Sequence, residues 1–279
     1  MGPVITVEPV SGTVGAVVRG VDLSEPLDDS TVADIRKAFL VHHVLFFHDQ
    51  DLNAEAQLRF GRCFGELDTH PFVEGTTAHP EVIEIITEPD DILNFGGGWH
   101  SDVTFLDAPD LGSILYAIEV PPFGGDTLFA DQHAAYEALS DTMKDLLDGL
   151  VARHSPGPQY AEGGYSTLSK SMKTKSADRA GGIVCHPLVR THPETGKKAL
   201  YVNPAFTVGI DGMRLEESMA LLGFLFNHAV REPFTCRFRW SAGSVAMWDN
   251  RSVQHYALFD YRGHRRHMRR ITVKGDRPR

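Results

Sequence analysis

FTCRFRW at 234–240, SVAMWD at 244–249 and HMRRITV at 267–273 close the chain. Each is short and rich in β-branched and aromatic residues, so each reads as a strand. Working outward, Leu215–Val230 reads as a helix, and Val184–Arg190 and Ala199–Asn203 as strands around a Glu194-Thr195-Gly196-Lys197 turn. Residues 155–181, rich in Ser, Gly and Lys, are expected as a surface loop or mobile lid. A single helix is expected from Asp131 to Leu150, with Ala134, Ala135, Leu139, Met143, Leu146 and Leu147 on its apolar side. Further back, Thr127–Ala130, Ser113–Val120, Val82–Thr87 and Val44–Phe47 read as strands, and Val4–Val7 with Gly15–Val21 as a hairpin. Helices are expected from a Ser30 or Thr31 cap to Val41, and from an Asn53 cap through Phe64 to Gly65. Strands dominate the second half, and helices interrupt them without βαβ alternation. That pattern points to a mostly β fold with α elements, an antiparallel sandwich or jelly roll with flanking helices. No linker divides it, so one domain over 1–279 is expected.

The chain has 279 residues and a formal net charge of −10, which argues against a nucleic-acid partner. The one dense basic run, Arg265, Arg266, Arg269 and Arg270, reads either as a pocket for a small anion or as a solvated edge strand. Three widely spaced cysteines, Cys63, Cys185 and Cys236, fit a reducing cytoplasm rather than a disulfide framework. No signal peptide and no membrane span are expected.

Residues i and i+2 of a strand share a face, so His-x-Asp aims an imidazole and a carboxylate into one cavity. One distant histidine can then complete a facial triad on iron, leaving positions open for other ligands. About two His-x-Asp/Glu triplets are expected by chance at this composition, and the chain has His79-Pro80-Glu81, His100-Ser101-Asp102 and His192-Pro193-Glu194. Proline in the middle marks the outer two as turns. The central one follows Gly96-Gly97-Gly98, where backbone can approach a ligand closely, and has Trp99 and Phe105 as apolar cover. His255 follows an apolar strand, where a histidine commonly serves as a structural hydrogen-bonder, so on the residues alone the third ligand stays open.

Several stretches together resemble the taurine dioxygenase / 2,4-D dioxygenase family of iron(II)/2-oxoglutarate enzymes. They are Trp99-His100-Ser101-Asp102-Val103-Thr104-Phe105, Gly124-Gly125-Asp126-Thr127-Leu128, His186-Pro187-Leu188-Val189-Arg190-Thr191-His192-Pro193, and Trp248-Asp249-Asn250-Arg251 through His255 to Arg266 and Arg270. The similarity spans nearly the whole chain and weakens at 156–181. It implies a double-stranded β-helix (jelly roll) core and metal ligands at His100, Asp102 and His255. It implies that Arg266, eleven residues after His255, and Thr127 hold 2-oxoglutarate; a planar guanidinium suits a carboxylate.

If the last strand is regular, Arg266, Met268 and Arg270 share one face. Two inward cations imply two anions, 2-oxoglutarate and a substrate. The resemblance puts His70 and Arg270 at the substrate's anionic head, with Phe206 as an aromatic wall and Val103 also at the substrate. Two positions depart from the taurine enzyme: Val73 replaces a tyrosine and Gly96 an asparagine. Both losses argue for a less polar tail than taurine's.

The resemblance implies a dioxygenase that uses iron(II), 2-oxoglutarate and O2 to hydroxylate a small anionic substrate: a sulfonate, a sulfate ester or a carboxylate. The coproducts are succinate and carbon dioxide. A homo-oligomer, dimer or tetramer, is expected, with no nucleic-acid or membrane partner. The alternatives are taurine dioxygenase proper, an alkylsulfatase or aryloxyalkanoate dioxygenase, and, in another class, a cupin-like zinc hydrolase or isomerase. The last gives no reason for Thr127 and Arg266.

Overall fold

Apolar side chains along the strands alternate between two cores, and this alternation sets the layers of the computed structural model, which describes residues 5–175 and 182–279. The strands are β1 (Thr6–Pro9), β2 (Ala16–Arg19), β3 (Val44–Phe47), β4 (Leu67–Asp68), β5 (Ile83–Thr87), β6 (Gly112–Glu119), β7 (Thr127–Asp131) and β8 (Val151–His154). They continue as β9 (Val184–Pro187), β10 (Val189–Thr191), β11 (Lys198–Leu200), β12 (Thr207–Ile210), β13 (Thr235–Phe238), β14 (Val245–Asp249), β15 (Val253–Ala257) and β16 (Arg266–Val273). The helices are α1 (Asp29–His42), α2 (Ala54–Arg62), α3 (Gln132–Glu137), α4 (Asp141–Leu147), α5 (Gly157–Tyr160) and α6 (Leu215–His228).

An eight-stranded sheet runs β1-β2-β3-β14-β6-β16-β4, with β5 also paired to β16; smaller sheets are β13-β7-β15, β12-β8-β9 and β10-β11. Among the described strands only β2 and β3 pair in parallel. On β14, Ala246 and Trp248 face an inner core shared with Phe129, Phe238 and Val253 of the β13-β7-β15 sheet. Val245 and Met247 face the other way, onto Ile35 and Phe39 of α1 and Phe60 of α2. Each such large apolar side chain contributes about 1.5–3 kcal/mol when fully buried. The result is the jelly-roll sandwich with outer helices that the strand pattern implied.

On β16, buried Arg266, Met268 and Arg270 alternate with half-buried His267 and Arg269. The strand is not a solvated edge, because β6 flanks it on one side and β4 and β5 on the other. The outward Arg269 is held by Gln57 Oε1 and the Leu52 carbonyl, and Arg265 pairs with Glu88 and Glu119.

Three local expectations need correction. The cap of α1 is Asp28, whose carboxylate accepts from Thr31 N–H and Ser30 Oγ, both at 2.7 Å; a carboxylate outcompetes the hydroxyls for that role. The expected helix from Asp131 to Leu150 is two helices, because Ser140 caps α4 by accepting from Met143 N–H. The break turns Leu146 out to 52% exposure while Leu139 and Leu147 stay buried. Val184–Arg190 is two strands that change partner at Leu188: β9 pairs with β8 and β10 with β11. In the 155–181 stretch, residues 155–175 carry α5, a 3-10 turn at Tyr165–Leu168 and a bridge from Thr174 to Val73, with Tyr160 and Met172 buried. Residues 176–181, like Val4 of the expected first strand, lie outside the described residues.

Among the described residues no helix is long and apolar enough to cross a membrane, and Cys63, Cys185 and Cys236 are free thiols. Burial holds His43 and His154 near pKa 3 and His133 near 4, each well below an exposed imidazole. The unfolded chain therefore takes up protons near pH 6.5 that the folded chain refuses until about pH 3–4. Urea-denaturation midpoints are expected to fall as pH drops from about 7 to 4. His154→Gln, which cannot take up that proton, should flatten the slope; an unchanged slope would refute the neutral buried state.

Candidate active site

The backbone itself brings the two distant histidines together. His100 forms a bridge with His255 at the side of β15 opposite β7: His100 N–H donates to the His255 carbonyl at 3.0 Å, and His255 N–H to the His100 carbonyl at 2.8 Å. The two imidazole centroids are 4.1 Å apart. Two residues on, Asp102 places Oδ1 at 3.7 Å from His100 Nε2 and 4.0 Å from His255 Nε2. All three are buried, with candidate ligand atoms within 4.8 Å of one another, and no other His/Cys/Asp/Glu set among the described residues gathers this way. Of the two proline-containing triplets, His79 sits in a turn bonded to Glu55. His192 is more than a turn residue: its buried Nε2 lies 3.0 Å from Asp249 Oδ2.

The donor set fits a divalent iron. His100 Nδ1 lies 2.8 Å from the Gly98 carbonyl, so it carries the proton and leaves the Nε2 lone pair free toward Asp102. Burial lowers the pKa of both imidazoles, keeping them neutral. Burial, the largest single effect, would raise the carboxyl of Asp102, but the Arg270 guanidinium, the two imidazoles and the Ser113 hydroxyl together outweigh it and hold the group below the usual carboxylate range. Arg270 Nη1 is 3.0 Å from Asp102 Oδ1, and Ser113 Oγ donates to Oδ2 at 2.8 Å. Two nitrogens and one carboxylate oxygen on one side of a cavity form the set that leaves positions open on iron.

Beyond Asp102 the cavity splits into two pockets. One is lined by Thr127, Trp248, His255, Arg266 and Arg270. Arg266 is buried, and its Nε and Nη2 have no partner among the described residues. A buried guanidinium with idle donors is costly unless an anion completes it, so this pocket suits the carboxylate of 2-oxoglutarate. Thr127 Oγ1 accepts from Trp240 Nε1 at 3.0 Å, which fixes the hydroxyl.

The second pocket is lined by His70, Gly96, Asp102, Val103, Tyr160 and Phe206, among others. His70 Nδ1 accepts from the Phe72 and Val73 amides at 3.1 and 3.0 Å. Its proton is therefore on Nε2, 3.4 Å from Tyr160 Oη, and burial with Arg270 nearby holds the ring neutral, at a pKa of about 3. Arg270 Nε and Nη2, like those of Arg266, have no partner among the described residues. Phe206 packs edge-on to His100 and Phe105, and Tyr160 stacks on Phe72 at 4.8 Å. Gly96 has a φ of +79°, and a Cβ there would lie 3.4 Å from His100 Cε1. Of the two positions expected to set the tail, Gly96 lines this pocket and Val73 does not: it is a core residue paired with Thr174.

Sequence reasoning missed Ser113, Asn250, Trp240 and Tyr160. Ser113 and Trp240 are ordinary strand-region residues whose roles depend on cross-strand register. Tyr160 lay in a stretch expected as loop. Asn250 stood inside a quoted motif without an assigned task.

The family model for the taurine catabolism dioxygenase TauD, TfdA family matches residues 6–272. An alpha-ketoglutarate-dependent sulfate ester dioxygenase of Pseudomonas putida is 36% identical over 282 residues, covering 98% of this chain and 91% of that protein. An (S)-phenoxypropionate/alpha-ketoglutarate-dioxygenase of Sphingobium herbicidovorans is 35% identical, covering 92% of this chain and 90% of that one. A crystal structure of a taurine dioxygenase from Burkholderia xenovorans superposes with a TM-score of 0.84 at 40% identity, covering 99% of this chain and 93% of that chain.

The Arg270–Asp102 pair yields a test that needs no substrate. Arg270→Met leaves a buried carboxylate without its cation, and the metal-free protein is expected to lose about 3–5 kcal/mol in urea unfolding. A loss under about 1 kcal/mol would mean that Asp102 is not held by this ion pair.

Proposed function

We propose, on the premise that this chain belongs to the taurine catabolism dioxygenase TauD, TfdA family, a specific division of labour within its site. The chain is a non-haem iron(II)- and 2-oxoglutarate-dependent dioxygenase, an oxidoreductase acting on a small anionic organic substrate. Iron(II), when bound with 2-oxoglutarate and O2, supplies the oxidising chemistry that hydroxylates a substrate C–H and yields succinate and carbon dioxide.

In our reading His100, Asp102 and His255 hold the metal. Arg266 takes the far carboxylate of 2-oxoglutarate, and the Thr127 hydroxyl, oriented by Trp240, takes the cosubstrate beside it. Arg270 and the Nε2–H of His70 receive the substrate's anionic head, while Val103 and Phe206 wall the carbon next to it. The observation that carries this reading is the pair of buried arginines with idle donors that line one pocket with His100 and His255.

The tail is inferred from what lines the pocket. Among the described residues Asp102 is its one carboxylate, so a substrate ammonium has no partner that the metal does not also claim. Phe95, Tyr160 and Phe206 line the pocket instead, with Phe72 and Phe105 packed behind Tyr160 and Phe206. An anionic head with an apolar tail fits best. Sulfate esters and aryloxyalkanoates, named for two of the relatives, have that form; taurine, named for the similar solved structure, does not. Free thiols fit a reducing cytoplasm, and the exposed Leu215, Met219 and Phe224 of α6 fit a homo-oligomer.

A succinate-release screen with iron(II) and 2-oxoglutarate tests this. Sulfate esters, sulfonates and aryloxyalkanoates with apolar tails are expected to drive turnover, and taurine to do so at least tenfold less. His100→Ala and Asp102→Ala are expected to be inactive. Full activity in either variant overturns the metal assignment; a clear preference for taurine overturns the tail assignment.

A further inference from the structure

Val103 has a φ of +46°, in the left-handed region. A β-branched residue is a genuine outlier there, and its backbone must be held by its surroundings. It is buried and directly follows Asp102. Its neighbourhood supplies the hold. Asn250 Oδ1 accepts from the Asp102 N–H at 2.5 Å, and Asn250 Nδ2 donates to the Asp102 carbonyl at 2.8 Å and to the Asp110 carbonyl at 3.2 Å. One buried amide thus grips both backbone groups of Asp102 and ties them to the far side of the turn.

Asn250 is itself fixed. Its N–H donates to the Leu111 carbonyl, and it follows Asp249, whose carboxylate is locked by Arg251 at 2.7 and 2.8 Å and by His192 at 3.0 Å. Asp102 is aimed at the two imidazoles along this turn, and a β-branched residue at positive φ would be less strained in an ordinary β conformation.

We infer that Asn250 is a positioning residue for the metal centre: its side-chain amide holds the strained Asp102–Val103 turn and so keeps the Asp102 carboxylate in ligand position. This rests on the reading of Asp102 as a metal ligand. Asn250 touches neither the metal position nor the substrate pocket, so its effect should appear in metal affinity even with no substrate present.

The experiment is a titration of the metal-free protein with Mn(II) or Co(II), using Asn250→Ala, Val103→Gly, the double variant and Asp102→Ala. Folding of each is checked by circular dichroism. Asn250→Ala is expected to weaken metal binding roughly 10- to 100-fold. Val103→Gly alone should change it little, because glycine accepts a positive φ without strain. The double variant should recover about tenfold of the loss, since the strain that displaces the turn is gone. Rescue by removing a methyl-bearing side chain is not expected of a purely structural defect. Unchanged affinity in Asn250→Ala, or no recovery in the double variant, overturns the inference. Unchanged affinity in Asp102→Ala overturns the metal reading instead, so the two failures are distinct. If Asn250→Ala does not fold, Asn250→Asp, which keeps the acceptor and removes the amide donor, takes its place with and without Val103→Gly.

Discussion

A carboxylate buried between two sheets cannot stay ionised without cations, and most of the site is arranged around that constraint. Asp102 is buried, and each group near it answers its charge. Arg270 approaches one oxygen and Ser113 the other. His100 turns its Nε2 lone pair toward the same space and His255 Nε2 lies 4.0 Å from Asp102 Oδ1, so a divalent ion there would have one anionic and two neutral donors. The guanidinium and the metal are in that sense alternatives for one oxygen. In the metal-free protein Arg270 supplies the counter-charge; a metal held by His100, Asp102 and His255 would supply that charge instead, leaving Arg270 able to pair with another anion.

The run Trp248-Asp249-Asn250-Arg251 shows how one strand end can serve this centre and the scaffold together. Trp248 fills the inner core and packs 4.6 Å from the His255 ring. Asp249 points the other way, into a second buried ion network with Arg251 and His192. Glu194 bridges Arg251 to Arg36 of α1. Asn250, between them, reaches Asp102. The second network is remote from the cavity, and its strength matters because it anchors the residues that aim the first.

Much of this is legible in the sequence. The inward face of β16 followed from a period of two, and the alternation of Arg266, Met268 and Arg270 is as expected. Cores are written redundantly in apolar pattern, which is why β3, β6 and β14 were found within a residue or two. What was not legible depends on competition or on distance. The Asp28 cap and the Ser140 break arise because one side chain outbids its neighbours for a backbone N–H, and pattern alone does not rank the bidders. Ser113, Trp240 and Asn250 acquire their tasks through contacts more than ten residues away in sequence. His192 looked like a turn residue because its proline does mark a turn; the partner that gives it a role is 57 residues on. Val73 was given weight by resemblance, yet packing puts it in the core rather than on the pocket wall.

Charge balance gives a last constraint on what the second pocket can accept. The cavity histidines are held neutral by burial, so its fixed charges are Asp102, Arg266 and Arg270. A divalent metal added to these leaves a buried excess of positive charge. Dianionic 2-oxoglutarate removes most of that excess, and a single further negative charge would just neutralise the remainder. A monoanion such as a sulfate monoester or a carboxylate does this. A zwitterion does not: it brings an ammonium into a pocket whose carboxylate is already engaged, and it leaves the cavity's own charge uncompensated. In a low-dielectric site uncompensated charge is expensive, so under the proposed assignment a monoanion would be favoured over a zwitterion. Under the same assignment, Tyr160 and Phe206 on the pocket wall would favour monoanions with apolar surface to bury.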